Sequence, residues 1–163
     1  MFRIGDLVAH PMHGAGVIDA IVQEKVAGKM EEYYVFKMPV GGLLLKIPVA
    51  NSASVGLRAI ITPEEAEALI AGMASLEVES SANWNKRYQE NLQRLKSGDL
   101  REVARVVKGL MIRDARRGLS TGERKMLQTA KRILISEIVL TEQTDYEAVE
   151  SRINCAMTQG AAV

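Results

Sequence analysis

"TPEEAEALIAG", residues 62–72, marks the point at which the hydrophobic period of this 163-residue chain changes. Upstream, short apolar segments rich in β-branched residues alternate with turns, whereas downstream the apolar residues recur every three to four positions. Within the stretch, Thr62 is predicted to be the N-cap, Pro63 the first helical residue and Glu65 the reciprocal partner of a capping box. The sequence therefore predicts a strand-forming half and a helix-forming half that meet near residue 60.

The upstream half contains four segments with the composition of β-strands: "DLVAH", "GAGVIDAIVQE", "EEYYVFKM" and "LLLKIPV". The linkers between them are too short for a crossover helix, so the strands are predicted to be antiparallel neighbours in a meander. Four or five short strands in such a length predict a small, strongly bent Tudor/SH3-like sheet or barrel.

The downstream half repeats the cap signals of helix starts. Helices are predicted to begin at Thr62, Asn83, Asp99, Ser120 (with Glu123 as a second capping box) and Thr144, with glycine stops at Gly72, Gly98 and Gly118. Short connections favour a compact bundle. The predicted fold is α+β, with a small antiparallel β domain over residues 1–60 and an all-α bundle of about five helices over residues 61–163.

The net charge of +1 conceals an uneven distribution of charge. Residues 83–132 carry 14 Lys and Arg against 5 Asp and Glu, whereas residues 61–82 carry none against 5 and residues 133–163 carry 1 against 5. Two interpretations stay open at this point. The block either consists of solvated helix faces with mixed ion pairs, or forms a binding surface for a polyanion.

Composition also limits the class of protein. A hydrophobic fraction of 47% and a charged fraction of 25% are typical of a globular chain. The single cysteine, Cys155, excludes a disulfide framework within the chain, and no segment has the apolar length of a signal peptide or a membrane span. We expect a soluble protein of the cytoplasm that does not act at a membrane.

Signals of catalysis are weak. His10 and His13 have metal-like spacing, but no third or fourth ligand cluster accompanies them, so a turn after the first strand is the favoured explanation. "GAGVID" contains only G-x-G, and Gly14 and Gly16 are better explained by bending of the sheet. We expect no enzyme, metal, cofactor or small-molecule substrate; a small metal-dependent enzyme is a weak alternative.

The only tryptophan lies in "SANWNKRYQENLQRLKSG", residues 81–98. Four residues of this predicted helix share one face at spacings of four, four and three: Trp84, Tyr88, Leu92 and Leu95. This pattern is compatible with Trp84 as the end of a core stripe. The alternative is an exposed aromatic wedge beside the cations Lys86 and Arg87, as in proteins that enter the minor groove, because a first-turn side chain lies at the edge of a bundle.

A second basic group lies in "IRDARRGLSTGERKML", residues 112–127, around a predicted turn between helices: Arg113, Arg116, Arg117, Arg124 and Lys125. These side chains either pair with Asp114, Glu123 and the acidic flanks, or form a phosphate-contacting patch.

"LLLKIPV" raises a question about the sheet. Pro48 cannot donate to a β-ladder, which places the segment at a sheet edge or a strand end. An apolar edge strand invites pairing with another chain, and Lys46 would then help to select an acidic partner. The alternative is an ordinary barrel strand closed by the residues after Asn51.

Taken together and in order, these segments resemble the CarD/CdnL family of bacterial transcription regulators over roughly residues 2–155. The resemblance is carried by "FRIGDLVAHPMHGAGVI", "EYYVFK", "KIPV", "NWNKRY", "NLQRLKSGD", "RDARRGLSTGERKML" and "ILISEI". It implies an N-terminal Tudor-like domain that docks on the RNA polymerase β subunit by strand addition. It also implies a C-terminal helical domain that touches promoter DNA near the upstream edge of the melted bubble.

The resemblance also assigns residues. The DNA-binding set that it implies is Trp84, Lys86, Arg87, Arg124 and Lys125, and the polymerase-binding set is Lys46 with Leu44, Ile47, Pro48 and Lys25. Two positions depart from the pattern, because Glu24 and Gln89 stand where relatives have basic residues.

The sequence thus predicts a non-enzymatic regulator that binds polymerase and promoter DNA together, largely independently of DNA sequence, and stabilises the open complex. The alternative is a protein-interaction module that binds polymerase without touching DNA, with Trp84 buried.

Overall fold

The structure is a computed structural model that describes residues 1–39, 42–78 and 81–159. In these ranges a five-stranded antiparallel sheet precedes five α-helices, which confirms the predicted α+β class. The strands are β1 (Leu7–His10), β2 (Gly14–Val26), β3 (Lys29–Lys37), β4 (Leu44–Pro48) and β5 (Arg58–Ala59).

The sheet has the order β4-β3-β2-β1-β5. The four predicted strands form the expected meander, and β4 pairs with β3 alone among the described residues, so it is an edge strand. The short strand β5 was not predicted; it pairs with the opposite side of the meander, where Val8 faces Ala59. Alternation along β2 and β3 buries one face of the sheet around Ile18 and Phe36.

The helices are α1 (Pro63–Gly72), α2 (Trp84–Lys96), α3 (Leu100–Arg117), α4 (Thr121–Glu142) and α5 (Tyr146–Gln159). Short 3-10 turns lie at Val49–Asn51 and Met73–Ser75. None of the helices in the described ranges has the length and apolarity that crossing a bilayer requires.

The predicted helix starts follow the caps. Thr62 forms the full capping box with Glu65, and the side chains of Asn83 and Asp99 each accept a backbone hydrogen bond in the first turn. At the start of α4, Ser120 accepts from the Glu123 backbone N–H as predicted, but the Glu123 carboxylate binds Arg87 instead of closing a second box.

The predicted start of α5 at Thr144 was wrong by one residue. The carboxylate of Asp145 accepts from the backbone N–H of Ala148 and caps the helix. The backbone N–H of Thr144 bonds instead to the carbonyl of Val139, because Gln143 adopts a left-handed conformation that ends α4.

Helix α4 connects the two halves of the fold. It packs against α1, α3 and α5 in the helical core, and its middle turns lie on β2. There the Ser136 hydroxyl accepts from the buried backbone N–H of Ala15 at 2.9 Å. Gly14 has a φ of +95°, and a Cβ at that position would lie 2.5 Å from Ser136 Oγ, so the close approach requires glycine.

An ion pair between a buried carboxylate and a partly exposed arginine fixes the same contact. Glu137 is 1% exposed and accepts two hydrogen bonds from the Arg58 guanidinium, at 2.8 and 3.0 Å, and one from the backbone N–H of Ile61 at 2.8 Å. The unpredicted strand β5 is therefore held both by β1 and by α4. The division into domains at residues 1–60 and 61–163 stays a prediction.

Two histidines lie beside this contact, His10 at the end of β1 and His13 in the turn that follows. The rings of His10 and His13 are 4.6 Å apart between centroids. Burial lowers the pKa of both imidazoles from their usual value of 6.5; the next contribution comes from His13 at His10 and from Arg132 of α4 at His13.

This arrangement predicts a loss of stability in mild acid. Because the folded-state pKa values lie below 6.5, the unfolded chain binds protons more readily, and stability is complete above pH 6.5 and declines as the pH falls below it. Urea denaturation at pH 7.5 and 5.5 will show a smaller decline in the double variant His10→Asn/His13→Asn than in the wild type. Equal declines would exclude the histidines as the cause.

Candidate nucleic-acid interface and polymerase-binding edge

Trp84 is the first residue of α2, and its side chain is only partly covered. Its residue surface is 42% exposed. One face of the ring stacks on Tyr88, with centroids 5.1 Å apart and planes 17° apart. The indole Nε1–H donates to Ser120 Oγ at 3.2 Å. The ring is therefore fixed from two sides and open to solvent on the rest.

The exposure of Trp84 follows from the orientation of α2. The buried residues of this helix are Arg87, Asn91 and Leu95, which are spaced by four. The predicted stripe starting at Trp84 reaches full burial only at Leu95, and its middle members are partly buried. In the N-terminal turns, the buried face of α2 is therefore rotated by one residue, or about 100°, from the predicted stripe.

Arg87 lies inside the molecule, and this differs from the surface position that we expected. It is 3% exposed, and its Nε donates to Glu123 Oε2 at 3.0 Å while its Nη1 donates to the carbonyl of Ser81 at 3.0 Å. Its charge is neutralised, and each of its three nitrogens donates a hydrogen bond within the protein. The side chain therefore does not offer a free cation to a surface ligand.

Glu123 is the anion at the centre of this contact. Burial by itself would raise the pKa of its carboxyl group. The hydrogen bonds and charge of Arg87, followed by the charge of Arg113 and a hydrogen bond from Ser120, bring the pKa below its usual value. The carboxylate is therefore ionised at neutral pH and joins α2, α3 and α4 beneath Trp84.

Exposed cations lie at the helix ends that meet near the indole, because the bond from Trp84 to Ser120 joins the starts of α2 and α4. Five basic side chains on the first turns of α2 and α4 and the last turn of α3 are exposed: Lys86, Arg116, Arg117, Arg124 and Lys125. Among the described residues, none of them is within ion-pair distance of a carboxylate. Arg113 alone follows the pairing alternative, with its Nε 3.7 Å from Glu123 Oε1. We call the five exposed side chains the cationic rim.

Most of the expected polymerase-binding residues lie on the outer side of the free strand β4. Leu44 is 56% exposed and Lys46 is also exposed, whereas Pro48 is half-buried. Ile47 points to the other face and is part of the sheet core. Lys25 is exposed near the β2–β3 turn, opposite Met30.

The charge of Lys46 is shared with a neighbour. Its Nζ forms an ion pair with Glu24 of β2, and both side chains are exposed. The Tyr33 hydroxyl donates to Glu31 at 3.1 Å; that bond, followed by slight desolvation and the charges of Glu31 and Glu24, raises the pKa of Tyr33. The outer face near β4 thus carries two carboxylates and one paired lysine.

The two histidines do not belong to a larger ligand cluster. Within residues 1–39, 42–78 and 81–159, no three histidine, cysteine, aspartate or glutamate side chains converge as they would around a metal ion. Arg132 faces His13, which adds positive charge where a cation would bind.

Two family models match the chain over nearly all of its length. The model described as the CarD-like/TRCF RID domain matches residues 2–61, and the model described as the CarD C-terminal domain matches residues 68–154. The chain belongs to the CarD-like family. It is therefore a transcription regulator of a kind that carries an RNA-polymerase-interacting domain, and that domain comprises the sheet.

A curated relative matches the chain across both halves. It is the Bacillus subtilis (strain 168) protein named "Putative transcription factor YdeB", which is 30% identical over 151 residues, or 93% of this chain and 99% of the relative. The similarity extends across the β4 edge and the cationic rim alike.

Sequence reasoning missed one part of the CarD-like helical half, the hydrogen-bonded set of buried Arg87 and Glu123 with the exposed Ser120. Arg87 and Glu123 are 36 positions apart and Ser120 was explained by capping alone. A signal did exist, because Glu123 is one of only 5 acidic residues among 14 basic ones in residues 83–132. An isolated carboxylate in such a block is a candidate for the partner of a buried arginine.

Proposed function

We propose that this CarD-like protein binds the RNA polymerase β subunit through its β4 edge and promoter DNA through Trp84 and the cationic rim. The DNA contact lies at the upstream edge of the bubble and stabilises the open complex. The observation that carries the proposal is the half-exposed indole amid exposed cations that no carboxylate of the described residues neutralises.

The cationic rim and the indole ring of Trp84 make different kinds of contact with DNA. Lys86, Arg124 and Lys125 contact the phosphate backbone, which positions the protein without selecting a sequence. Arg116 and Arg117 extend the same surface along α3. The flat apolar ring of Trp84 then inserts at a distorted step of the minor groove, where the cost of unstacking has already been met.

Arg87 has a different role from the one that the resemblance implies. Because it is buried against Glu123, we assign it to fixing the start of α2, and with it Trp84, rather than to contacting a phosphate. The rim therefore contains one basic residue fewer beside the indole than the sequence indicates. Fewer phosphate contacts lower the salt dependence of binding.

Stabilisation of the open complex follows from differential binding. A factor shifts an equilibrium only by its preference for one of the two states. Stacking of a base on an aromatic side chain contributes about 1–3 kcal/mol, which corresponds to roughly a five- to hundredfold shift in the open-complex population. Such a shift is ample for regulation.

The attachment to polymerase uses the edge of the sheet. A free edge strand presents unpaired backbone groups to which a strand of another protein can add. Leu44 supplies exposed apolar surface, and Lys46 supplies charge, while Pro48 and the core residue Ile47 fix the strand. Lys25 contributes a further positive charge near the turn.

The fold delivers both contacts from one packed unit. Helix α4 carries Arg124 and Lys125 at its start and lies on β2 through Ser136 and Glu137, within a length of about 33 Å for its 22 residues. Binding to polymerase therefore presents the rim at a fixed position and raises its effective concentration near DNA. We place the protein in the cytoplasm, at the nucleoid through polymerase.

The Lys46–Glu24 pair provides a prediction on polymerase binding. Exposed pairs contribute about 0–1 kcal/mol, so Glu24→Gln releases Lys46 at little cost in stability and should tighten binding to an isolated β fragment by up to about fivefold. Lys46→Glu should weaken it by about tenfold, since the local charge reverses.

Titration of a labelled β fragment by fluorescence anisotropy measures these affinities. Lys96→Glu, at an exposed position in the last turn of α2, is the matched charge reversal and should leave the affinity unchanged. Equal affinities for the wild type and both variants at positions 24 and 46 would exclude the β4 edge as the docking surface.

The overall proposal is tested by promoter melting with purified bacterial RNA polymerase. We expect addition of the protein to lengthen the lifetime of the open complex on a promoter whose bubble is unstable. A module that binds polymerase without touching DNA would leave the lifetime unchanged while still binding the β fragment. That alternative requires a buried Trp84, which the 42% exposure of the residue disfavours.

A further inference from the structure

The Ser120 hydroxyl occupies the junction between Trp84 and the buried carboxylate of Glu123. It accepts from the indole Nε1–H at 3.2 Å and from the backbone N–H of Glu123 at 3.2 Å, and it donates to Glu123 Oε1 at 3.3 Å. A serine hydroxyl has one donor and two acceptor positions. All three are used here.

The direction of these bonds is set by Glu123. Its carboxylate is buried and ionised, so it only accepts hydrogen bonds and draws the Ser120 proton toward itself. The lone pairs of Ser120 are then directed away from the carboxylate, toward the indole and the first turn of α4. Arg87 holds the carboxylate in turn with two hydrogen bonds, at 3.0 and 3.4 Å.

Among the described residues, Ser120 is the only hydrogen-bond partner of the half-exposed Trp84 side chain. Stacking on Tyr88 restrains the plane of the ring but leaves its in-plane orientation open. The bond to Ser120 removes that freedom. An aromatic group that is ordered before binding loses less conformational entropy when it meets its ligand.

We propose that Ser120 is a positioning residue, which holds the Trp84 indole in the orientation that meets DNA and takes its own orientation from the Arg87–Glu123 pair. The inference rests on the proposed function for its DNA part, but the restraint on the ring is a property of the free protein. Ser120 also starts the helix that bears Arg124 and Lys125, so ring and rim keep a constant geometry.

The single tryptophan makes the restraint directly measurable. Time-resolved fluorescence anisotropy of the free protein reports on the local motion of Trp84 alone. Ser120→Gly removes the hydroxyl, and glycine is a far better N-cap than alanine, so α4 is retained. Ser120→Thr keeps a hydroxyl, and Thr62→Gly removes the corresponding cap hydroxyl from α1 as the matched control.

We expect Ser120→Gly to increase the amplitude of the fast anisotropy decay. Ser120→Thr should restore the restrained decay, and Thr62→Gly should match the wild type. An unchanged decay in Ser120→Gly would overturn the proposal, because the indole would then be held without the hydroxyl.

Open-complex lifetime tests the consequence for function. Ser120→Gly should shorten it by about two- to tenfold, the range of one net hydrogen bond, and should have no effect when Trp84 is already alanine. A faster ring with an unchanged lifetime, in an assay where Trp84→Ala shortens it, would overturn the role in DNA binding. If Trp84→Ala has no effect, the proposed function fails, and the anisotropy decay still decides whether Ser120 restrains the ring.

Discussion

Trp84→Ala is expected to shorten the lifetime of the open promoter complex by roughly five- to hundredfold, while binding to the β fragment stays within twofold of the wild type. The reason is that the ring contributes its stacking free energy, about 1–3 kcal/mol, only where DNA strands have begun to separate. In the proposed function, polymerase binds at β4, an edge strand of the sheet, and α2 takes no part in that contact.

The measurement is the dissociation of preformed open complexes after addition of a competitor, followed by a fluorescent label within the bubble. Trp84→Phe serves as the control, since a smaller aromatic ring without the Nε1–H retains stacking and should lose less than alanine. A lifetime in Trp84→Ala equal to that of the wild type would rule out the ring as the source of stabilisation.

Glu137→Ala is expected to lower the free energy of unfolding by about 2 kcal/mol, since removing the buried carboxylate leaves the donors that it accepted from without an acceptor. The substitution strips the Arg58 guanidinium of two hydrogen bonds and the backbone N–H of Ile61 of its only acceptor in the described structure. Arg58 retains the carbonyl of Gly98, and its side chain is 35% exposed, so the loss stays below that expected for a fully buried pair.

Urea denaturation measures this effect. Glu67→Ala is the matched control, because Glu67 forms an ion pair with Arg152 in which both side chains are exposed, and its loss should change stability by no more than about 0.5 kcal/mol. Glu137→Gln should be intermediate, since it keeps an acceptor and loses the charge. A change below about 1 kcal/mol in Glu137→Ala would contradict the structural role assigned to the pair.

The elements that local chemistry decides were predictable from the sequence. Four helices start at a capping side chain that accepts a hydrogen bond from a backbone N–H two or three positions further on: Thr62, Asn83, Asp99 and Ser120. The signal for such a helix start therefore lies within a few residues of sequence. The antiparallel order of β1 to β4 followed from linkers that are too short for any other connection.

The elements that distant partners decide were not predictable. Strand β5 consists of two residues, and its place depends on Glu137, which is 79 positions from Arg58 in the chain. The burial of Arg87 depends in the same way on Glu123. Helical periodicity predicted that Trp84 and Tyr88 share one face, and their rings do stack. It did not reveal that Arg87 is the residue of this turn that is buried.

For the candidate site, composition indicated the basic block but not which charges are free. The sequence left pairing and phosphate binding as alternatives for the cluster in residues 112–127, and the structure shows which of its side chains lie near a carboxylate. Arg113 approaches Glu123, whereas the cationic rim residues Arg116, Arg117, Arg124 and Lys125 extend to solvent. A count of charges along the chain does not separate paired side chains from exposed ones. The difference depends on which face of the helix packs against the core.

The contact between Trp84 and promoter DNA is tested most directly by photo-crosslinking. A benzophenone amino acid is placed at position 84, and as a control at position 96 in the last turn of the same helix, in complexes of purified polymerase with labelled promoter DNA. We predict a crosslink from position 84 to the upstream edge of the bubble, dependent on polymerase, and none from position 96. Absence of a DNA crosslink from position 84, in complexes where a benzophenone at position 44 still captures the β subunit, would contradict the proposed wedge.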